Sequence, residues 1–382
     1  METSRLPGGK PALSMSNKQK LMVLIGTRPE AIKLAPVVDA IRRSDWAECE
    51  LVLTGQHKEL LVPLVEHFGL QVDHNLNAMR ENQTLSHVTA RILQGMDDLL
   101  AQSQPAAVIG QGDTASVLAG SMASFFRRIP FAHVEAGLRT GNIELPFPEE
   151  LNRVLTSRMT RWHFAPTETA KQNLMREAYP ENDIWVTGNT VIDALNMMLT
   201  QAPVALPCKP GRPFVLVTAH RRENLGDPMR HICEAIRQLA KLNPGLDFIY
   251  PVHPNPGVRQ IVHQALEGLD NVQLIEPCDY PVFCQLMSQA QLILSDSGGV
   301  QEEAPALGKP VLVLREETER PEAVELGCNM LVGTDTQRIV QAAQNLLHDS
   351  VAYQRMSTAG SPYGDGQASE RILNVLRQSL HV

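Results

Sequence analysis

The stretch Ser295-Asp296-Ser297-Gly298-Gly299-Val300-Gln301-Glu302-Glu303-Ala304-Pro305-Ala306-Leu307-Gly308-Lys309-Pro310 follows the apolar run Leu292-Ile293-Leu294. A short apolar run ended by glycines reads as a buried strand handing over to a helix. Without a Cβ, Gly298 and Gly299 let backbone N–H groups approach an anion closely, and the unpaired amides and dipole of a helix start favour negative charge. The stretch is therefore a candidate phosphate cradle, with Ser297 beside it. Glu302 and Glu303 read as first-turn acids, which a bound phosphate repels unless one reaches elsewhere, such as to ribose hydroxyls. Pro305 predicts a short or kinked helix. A lone Gly-Gly pair also fits an ordinary tight turn, so its meaning depends on the rest of the chain.

Outward from this stretch the same strand-then-helix alternation recurs. In the second half, Phe214–Thr218 exits into Ala219-His220-Arg221-Arg222-Glu223-Asn224, and strands follow at Phe248–His253, Val272–Ile275 and Val311–Leu314. After Glu319-Arg320-Pro321-Glu322 come Met330–Gly333 and two C-terminal helices split by Gly364-Asp365-Gly366. In the first half, Leu21–Ile25 enters Gly26-Thr27-Arg28-Pro29-Glu30, with Pro29 well placed at a first helical position. Arg28 and Lys33 put two cations at that helix start, and an arginine fork suits phosphate or carboxylate. Strand Glu50–Thr54 exits through Gly55-Gln56-His57. Strand Ala106–Gly110 ends in Gln111-Gly112-Asp113-Thr114, and Pro130–Val134 runs into Glu135-Ala136-Gly137-Leu138-Arg139. Ligands of open parallel sheets bind outside the carboxyl ends of the strands, so Asp113 and Glu135 should face one crevice. Past the loop Thr140–Pro148, Glu150 reads as an ordinary first-turn acid and Glu149 as the one pointing into the crevice.

Alternation throughout means parallel sheets covered on both faces, twice over. The predicted fold class is α/β, with two doubly wound, Rossmann-like domains facing across a cleft. Residues 1–19 read as a disordered leader, 20–201 as the first domain, the Pro/Gly-rich 202–213 as a linker and 214–366 as the second domain. The final helix, 367–382, is expected to cross back onto the first domain. A length of 382 residues suits two cores. The net charge of -8 argues against a general nucleic-acid binder but leaves room for a local basic pocket. Cys49, Cys208, Cys233, Cys278, Cys284 and Cys328 are scattered and read as reduced thiols of a cytosolic protein. No apolar run approaches a membrane span, and the polar leader lacks the apolar centre of a signal peptide. There is no GxGxxG after the first strand and no Walker lysine motif, so NAD and ATP lose their usual support. His220, His253 and the acids match no standard ligand set, so neither metal nor cofactor is expected.

Together Gly26-Thr27-Arg28-Pro29-Glu30, Gln111-Gly112-Asp113-Thr114, His133-Val134-Glu135-Ala136-Gly137-Leu138-Arg139, Pro146-Phe147-Pro148-Glu149-Glu150, Thr218-Ala219-His220-Arg221-Arg222-Glu223-Asn224, Asp296-Ser297-Gly298-Gly299 and Thr318-Glu319-Arg320-Pro321-Glu322 resemble the non-hydrolysing UDP-N-acetylglucosamine 2-epimerases. The resemblance runs in order from about Lys20 to the C-terminus. It implies a fold like that of the two-domain glycosyltransferases and reversible conversion of UDP-N-acetylglucosamine to UDP-N-acetylmannosamine. The route it implies is elimination of UDP to a 2-acetamidoglucal and re-addition to the other face. Cations and amides for departing UDP would be Arg28, Lys33, His220, Arg320 and the Ser297-Gly298-Gly299 cradle. Asp113, Glu135 and Glu149 would supply acid and base at carbon 2, with their individual roles left open. Glu303 would hold the ribose hydroxyls and Phe283 would pack near the uracil. Gln56, Arg221 and His253 match an adjoining site where some bacterial relatives bind substrate as an activator, but Asn82 stands where an arginine is expected. The resemblance also implies a homodimer and supply of N-acetylmannosamine units for surface polysaccharide. The rival readings are a glycosyltransferase of the same architecture, a hydrolysing epimerase and a non-catalytic nucleotide-sugar sensor. Three converging carboxylates favour the epimerase.

Overall fold

The computed structural model describes residues 18–55, 58–80, 83–208 and 211–382. Most of the expected leader, Gln56 and Asn82 lie outside them. The first half runs β1 (Gln19–Ile25), α1 (Arg28–Arg43), β2 (Ala47–Leu53), α2 (Lys58–His67), β3 (His74–Asn75), α3 (Leu85–Ser103), β4 (Ala107–Gln111), α4 (Ala115–Phe126), β5 (Phe131–Val134), α5 (Glu149–Met159), β6 (Trp162–Ala165), α6 (Glu168–Arg176), β7 (Ile184–Val186) and α7 (Thr190–Thr200). The second runs β8 (Phe214–Thr218), α8 (Asp227–Leu242), β9 (Asp247–Pro251), α9 (Pro256–Leu266), β10 (Val272–Ile275), α10 (Tyr280–Gln289), β11 (Leu292–Ser295), α11 (Gly298–Ala306), β12 (Val311–Val313), α12 (Pro321–Glu325), β13 (Asn329–Leu331), α13 (Thr336–His348), α14 (Ser350–Ser357) and α15 (Ala368–Ser379).

The strands form two sheets, ordered β3-β2-β1-β4-β5-β6-β7 and β10-β9-β8-β11-β12-β13, and their ladders are parallel. Central strands are apolar along their whole length because helices cover both faces. In β1, Leu21 to Ile25 are all fully buried. Each sheet reverses direction once, between β1 and β4 in the first and between β8 and β11 in the second. Such switch points open a crevice between the loops that leave the two strands. The first crevice is therefore flanked by the Gly26–Arg28 and Gly112–Thr114 turns, and the second by the Ala219–Asn224 and Asp296–Gly298 turns.

The apolar cluster beneath α1 also takes in Tyr280, Cys284 and Leu286 of α10, Val300 and Ala304 of α11, and Ile372, Leu373 and Leu376 of α15. Asp193 of α7 accepts hydrogen bonds from the Ala368 and Ser369 amides at the start of α15, at 3.2 and 2.8 Å. Two details differ from the sequence reading. The chain after β13 forms three helices, because the Asp349 side chain caps a fresh start at α14 by accepting from the Val351 and Ala352 amides. Helix α11 begins at Gly298, so Glu302 and Glu303 fall in its second turn rather than its first. The nine-residue α11 is short, with Pro305 in its final turn. All six cysteines are free thiols, four buried and two half-buried.

Candidate active site

Ser297 precedes α11, and Gly298 and Gly299 are its first two residues. Neither glycine has a positive φ, and a Cβ on either would meet only ordinary contacts, 3.5 Å to Arg221 Nη2 and 3.4 Å to Glu303 Oε1. Nothing in the chain's own packing demands glycine here. Their smallness leaves open the space in front of the helix amides, which is where an anion would approach.

The opposite wall of this crevice is fixed by Asp296. Its carboxylate is fully buried and accepts the His220 and Arg221 amides, both at 2.8 Å, and the Asn224 side-chain amide at 2.9 Å. His220 Nδ1 lies 3.3 Å from Asp296 Oδ1, and its ring stacks on His253 at 5.5 Å and 9°. Burial above all holds His220 below the ordinary imidazole range, and His253 and Arg221 push the same way against Asp296. His220 is thus neutral at neutral pH and faces the crevice as a hydrogen-bonding imidazole.

Between the sheets lies a buried ion quartet. Lys33 Nζ sits 2.5 Å from Glu135 Oε1 and 3.4 Å from Glu302 Oε2. Glu302 also pairs with Arg320 Nε, and the Asn189 side-chain amide donates to both carboxylates at 3.3 Å. Gln111 Nε2 donates to the other Glu135 oxygen. Two cations thus balance two anions, with Glu302 only 2 % and Glu135 only 6 % exposed in their side chains. Burial opposes ionisation of Glu302, but Arg320 and Lys33 outweigh it and hold its carboxyl below the usual range. Glu135 adopts φ +63°, a left-handed conformation that is strained for a residue with a side chain.

Asp113 forms a second group. Its Oδ2 pairs with Arg153 at 2.6 Å, and its backbone carbonyl accepts from Asn152 at 2.8 Å. Arg153 in turn binds Glu150 at 2.8 Å, and Glu150 accepts the Thr140 and Gly141 amides at 2.9 and 3.1 Å. Glu150 therefore anchors the loop before α5, which goes beyond a first-turn acid's usual part. Buried, neutral His133 bonds the Gly112 carbonyl at 2.7 Å. Glu149 is half-buried at the start of α5.

Glu303 is 6 % exposed, and Tyr280 donates to it at 2.7 Å. Burial, with the neighbouring Glu302 charge adding to it, pushes its carboxyl up to about 8. An acid that binds its proton more tightly folded than unfolded favours the fold while protonated, and loses that support as pH rises through its folded value. Glu303→Gln is therefore expected to unfold at a higher temperature than the parent above about pH 8, with the gap closing below about pH 5, as thermal unfolding across pH would record. A gap that is constant with pH would count against this titration.

Arg28 is exposed at the start of α1, and Phe283 is half-buried on α10 against the core. Arg221 flanks the cradle at Gly298, and His253 stacks on His220. Gln56 lies outside the described residues. A cleft of about 260 Å³ opens between the halves, walled by Arg139, Arg153, Arg221 and Arg320, with Glu319 and Glu322 among its other residues. The density of guanidinium groups suits an anionic ligand. No group of three or more acids, histidines or cysteines placed to hold a metal occurs among the described residues.

Glu302, Asp296, Asn189, Gln111 and Arg153 were not singled out from the sequence as site residues. A buried acid directly after a strand, as at Asp296, and an Asn capping α7 just after Gly188 were the available clues.

Residues 39–377 match the family model described as UDP-N-acetylglucosamine 2-epimerase. The chain is 48 % identical over 369 residues to the UDP-N-acetylglucosamine 2-epimerase of Salmonella typhimurium, covering 94 % of this chain and 98 % of that one. It is 47 % identical over 371 residues to the enzyme of that name from Escherichia coli, covering 94 % and 99 %. It is also similar to the crystal structure of UDP-GlcNAc 2-epimerase from Neisseria meningitidis bound to UDP-GlcNAc, with a TM-score of 0.83, 43 % identity, and 94 % and 100 % coverage.

Proposed function

The chain belongs to the UDP-N-acetylglucosamine 2-epimerase family, and from that premise we propose that its site interconverts UDP-N-acetylglucosamine and UDP-N-acetylmannosamine by elimination of UDP and re-addition. Carbon 2 of the sugar has no neighbouring carbonyl to acidify its proton, so direct deprotonation and return would be prohibitively slow. Elimination avoids this. A carboxylate removes the carbon-2 proton, the bond from carbon 1 to the UDP oxygen breaks, and 2-acetamidoglucal and UDP remain. UDP then re-adds at carbon 1 while a proton is delivered to the opposite face of carbon 2.

The observation that carries the reading is the quartet, which sets Glu135 against Lys33, and Glu302 of the cradle helix between Lys33 and Arg320. In this scheme Lys33, Arg320 and Arg28, the amides at the start of α11 and neutral His220 stabilise the departing diphosphate. Asp113, Glu135 and Glu149 exchange protons with carbon 2 from two sides. Glu303 holds the ribose and Phe283 borders the uracil, with Arg221 and His253 at the adjoining mouth of the cleft.

We also assign the apolar patch on α4 and α5 to a second copy of the chain. Phe125 and Phe126 at the end of α4 are 59 % and 62 % exposed, Leu151 and Leu155 of α5, which packs on α4, are half-exposed, and such patches mark association surfaces. The proposed setting is the cytoplasm, with the product feeding polysaccharide synthesis. No helix among the described residues is long and apolar enough to cross a membrane.

Proton NMR of UDP-N-acetylglucosamine with the protein in heavy water tests the reading. UDP-N-acetylmannosamine is expected to accumulate with deuterium at carbon 2. Intact substrate that keeps its carbon-2 proton would point to a transferase or a binding protein.

A further inference from the structure

Glu30 is 1 % exposed, yet it stands at the edge of the first crevice, two residues after Arg28. One of its oxygens accepts the Gly26 amide and, at 3.2 Å, the Thr27 amide. That half is a local capping arrangement and shapes the turn that carries Arg28. The other oxygen accepts the Thr114 hydroxyl at 2.6 Å. Capping does not explain this second bond, because Thr114 belongs to the β4–α4 turn, directly after Asp113. Thr114 also caps α4 by accepting the Val117 amide, so its hydroxyl is directed from both sides. The two turns also pack closely, since a Cβ on Gly26 would collide with Ser116, whose Oγ lies 3.0 Å from Thr54 Oγ1 at the exit of β2.

We infer that Glu30 is a positioning residue that fixes the turn bearing Arg28 and the turn bearing Asp113 as one rigid unit. The inference rests on the functional reading above, because that reading makes Arg28 a leaving-group contact and Asp113 an acid/base candidate. Elimination needs both to act on the same sugar at once, one at the departing diphosphate and the other at carbon 2. A misplacement of about 1 Å in such a pair costs on the order of 100-fold in rate. Glu30 touches neither end. Because the carboxylate is buried and shared, it holds their spacing without contacting substrate. His133 and Asn152 hold the Asp113 turn from its other sides, so Glu30 supplies the link toward α1.

Glu30→Gln and Thr114→Val test this on the full chain. Gln matches Glu in size but replaces one acceptor oxygen with a donor, so it cannot accept from the Gly26 and Thr27 amides and from Thr114 together. Valine at Thr114 removes the inter-turn bond together with the α4 cap, and leaves the bonds that Glu30 makes to the Gly26 and Thr27 amides in place. Both variants are expected to lose kcat by about 100-fold with KM within about threefold, and Thr114→Ser is expected to restore kcat to within about threefold. Amide hydrogen exchange without substrate reads the same link apart from catalysis. Thr114→Val is expected to speed exchange at Gly26 and Thr27, and Glu30→Gln at the amides from Asp113 to Val117. Exchange that changes only in the turn carrying the substitution, or a Thr114→Val enzyme with parental kcat, would overturn the inference. A parent protein that does not turn over UDP-N-acetylglucosamine would sink the functional reading, while the exchange result would still decide the coupling.

Discussion

Glu135→Gln is expected to lower kcat by about 10³-fold while UDP binds within severalfold of its parental affinity. The backbone at Glu135 is left-handed, φ +63°, where β5 ends. Such a conformation costs on the order of 1–3 kcal/mol and persists only where surroundings impose it. Here they do so through the carboxylate. Lys33 and Asn189 hold one oxygen, and Gln111 donates to the other. These three donors aim the side chain at the junction of the halves.

A Gln at 135 keeps the shape but places an NH2 opposite Lys33 or Gln111, where donors meet donors, and it can neither take nor return a proton. The loss should therefore fall on the chemical step rather than on UDP, whose proposed contacts are Lys33, Arg320 and the start of α11. Steady-state turnover combined with calorimetric UDP titration separates the two. Removing one partner of a buried pair also costs stability, about 3–5 kcal/mol, so rates must be taken per folded site. Near-parental kcat would remove Glu135 from the proton-transfer chemistry.

The layered fold was legible because it rests on patterning. Apolar runs such as Leu21–Ile25 and Leu292–Leu294 have one stable setting, a parallel strand covered on both faces, and glycine and proline mark where each ends. The site was legible in part, because residues in the exit turns of switch-point strands can be placed by order alone. Arg28, Asp113, His220 and the Gly-Gly pair belong to such turns, and Glu135 to the exit of the neighbouring strand β5. Which side chains pair across the cleft was not readable. Lys33 and Glu302 are 269 positions apart in the chain, by subtraction of their numbers, and their contact depends on how the elements around the two sheets meet. Local reasoning also set the start of α11 too late, because Glu302 and Glu303 looked like ordinary first-turn acids. A helix buried nearly all round carries no amphipathic stripe to fix its register. That Glu30 spends one oxygen on its own helix start and the other on a distant turn was equally invisible, since the local half already fits a familiar pattern.

Lys33→Met should be as damaging as the loss of Glu135, for a different reason and with a different pH signature. Burial pulls the Lys33 ammonium's proton affinity down, but Glu135 and Glu302 raise it by more, so it stays charged. Met fills similar space and removes that charge. Glu135 and Glu302 then keep Arg320 as their one cation, beside the neutral donors Asn189 and Gln111, and two close buried carboxylates cannot both remain ionised at low cost. The leaving diphosphate loses a cation at the same time, so kcat/KM is expected to fall by about 10³-fold or more. The sign for stability follows from the proton that one carboxyl now retains. Its folded proton affinity exceeds its unfolded value, so its support for the fold is present at low pH and is lost as pH rises. The melting-temperature deficit of Lys33→Met should thus be small in acid and widen toward neutral pH. Addition of UDP should not narrow the deficit, because the diphosphate brings more negative charge to a site already short of a cation. A deficit that is flat with pH, or one that UDP abolishes, would mean that Lys33 does not serve as the shared counter-ion between the two halves.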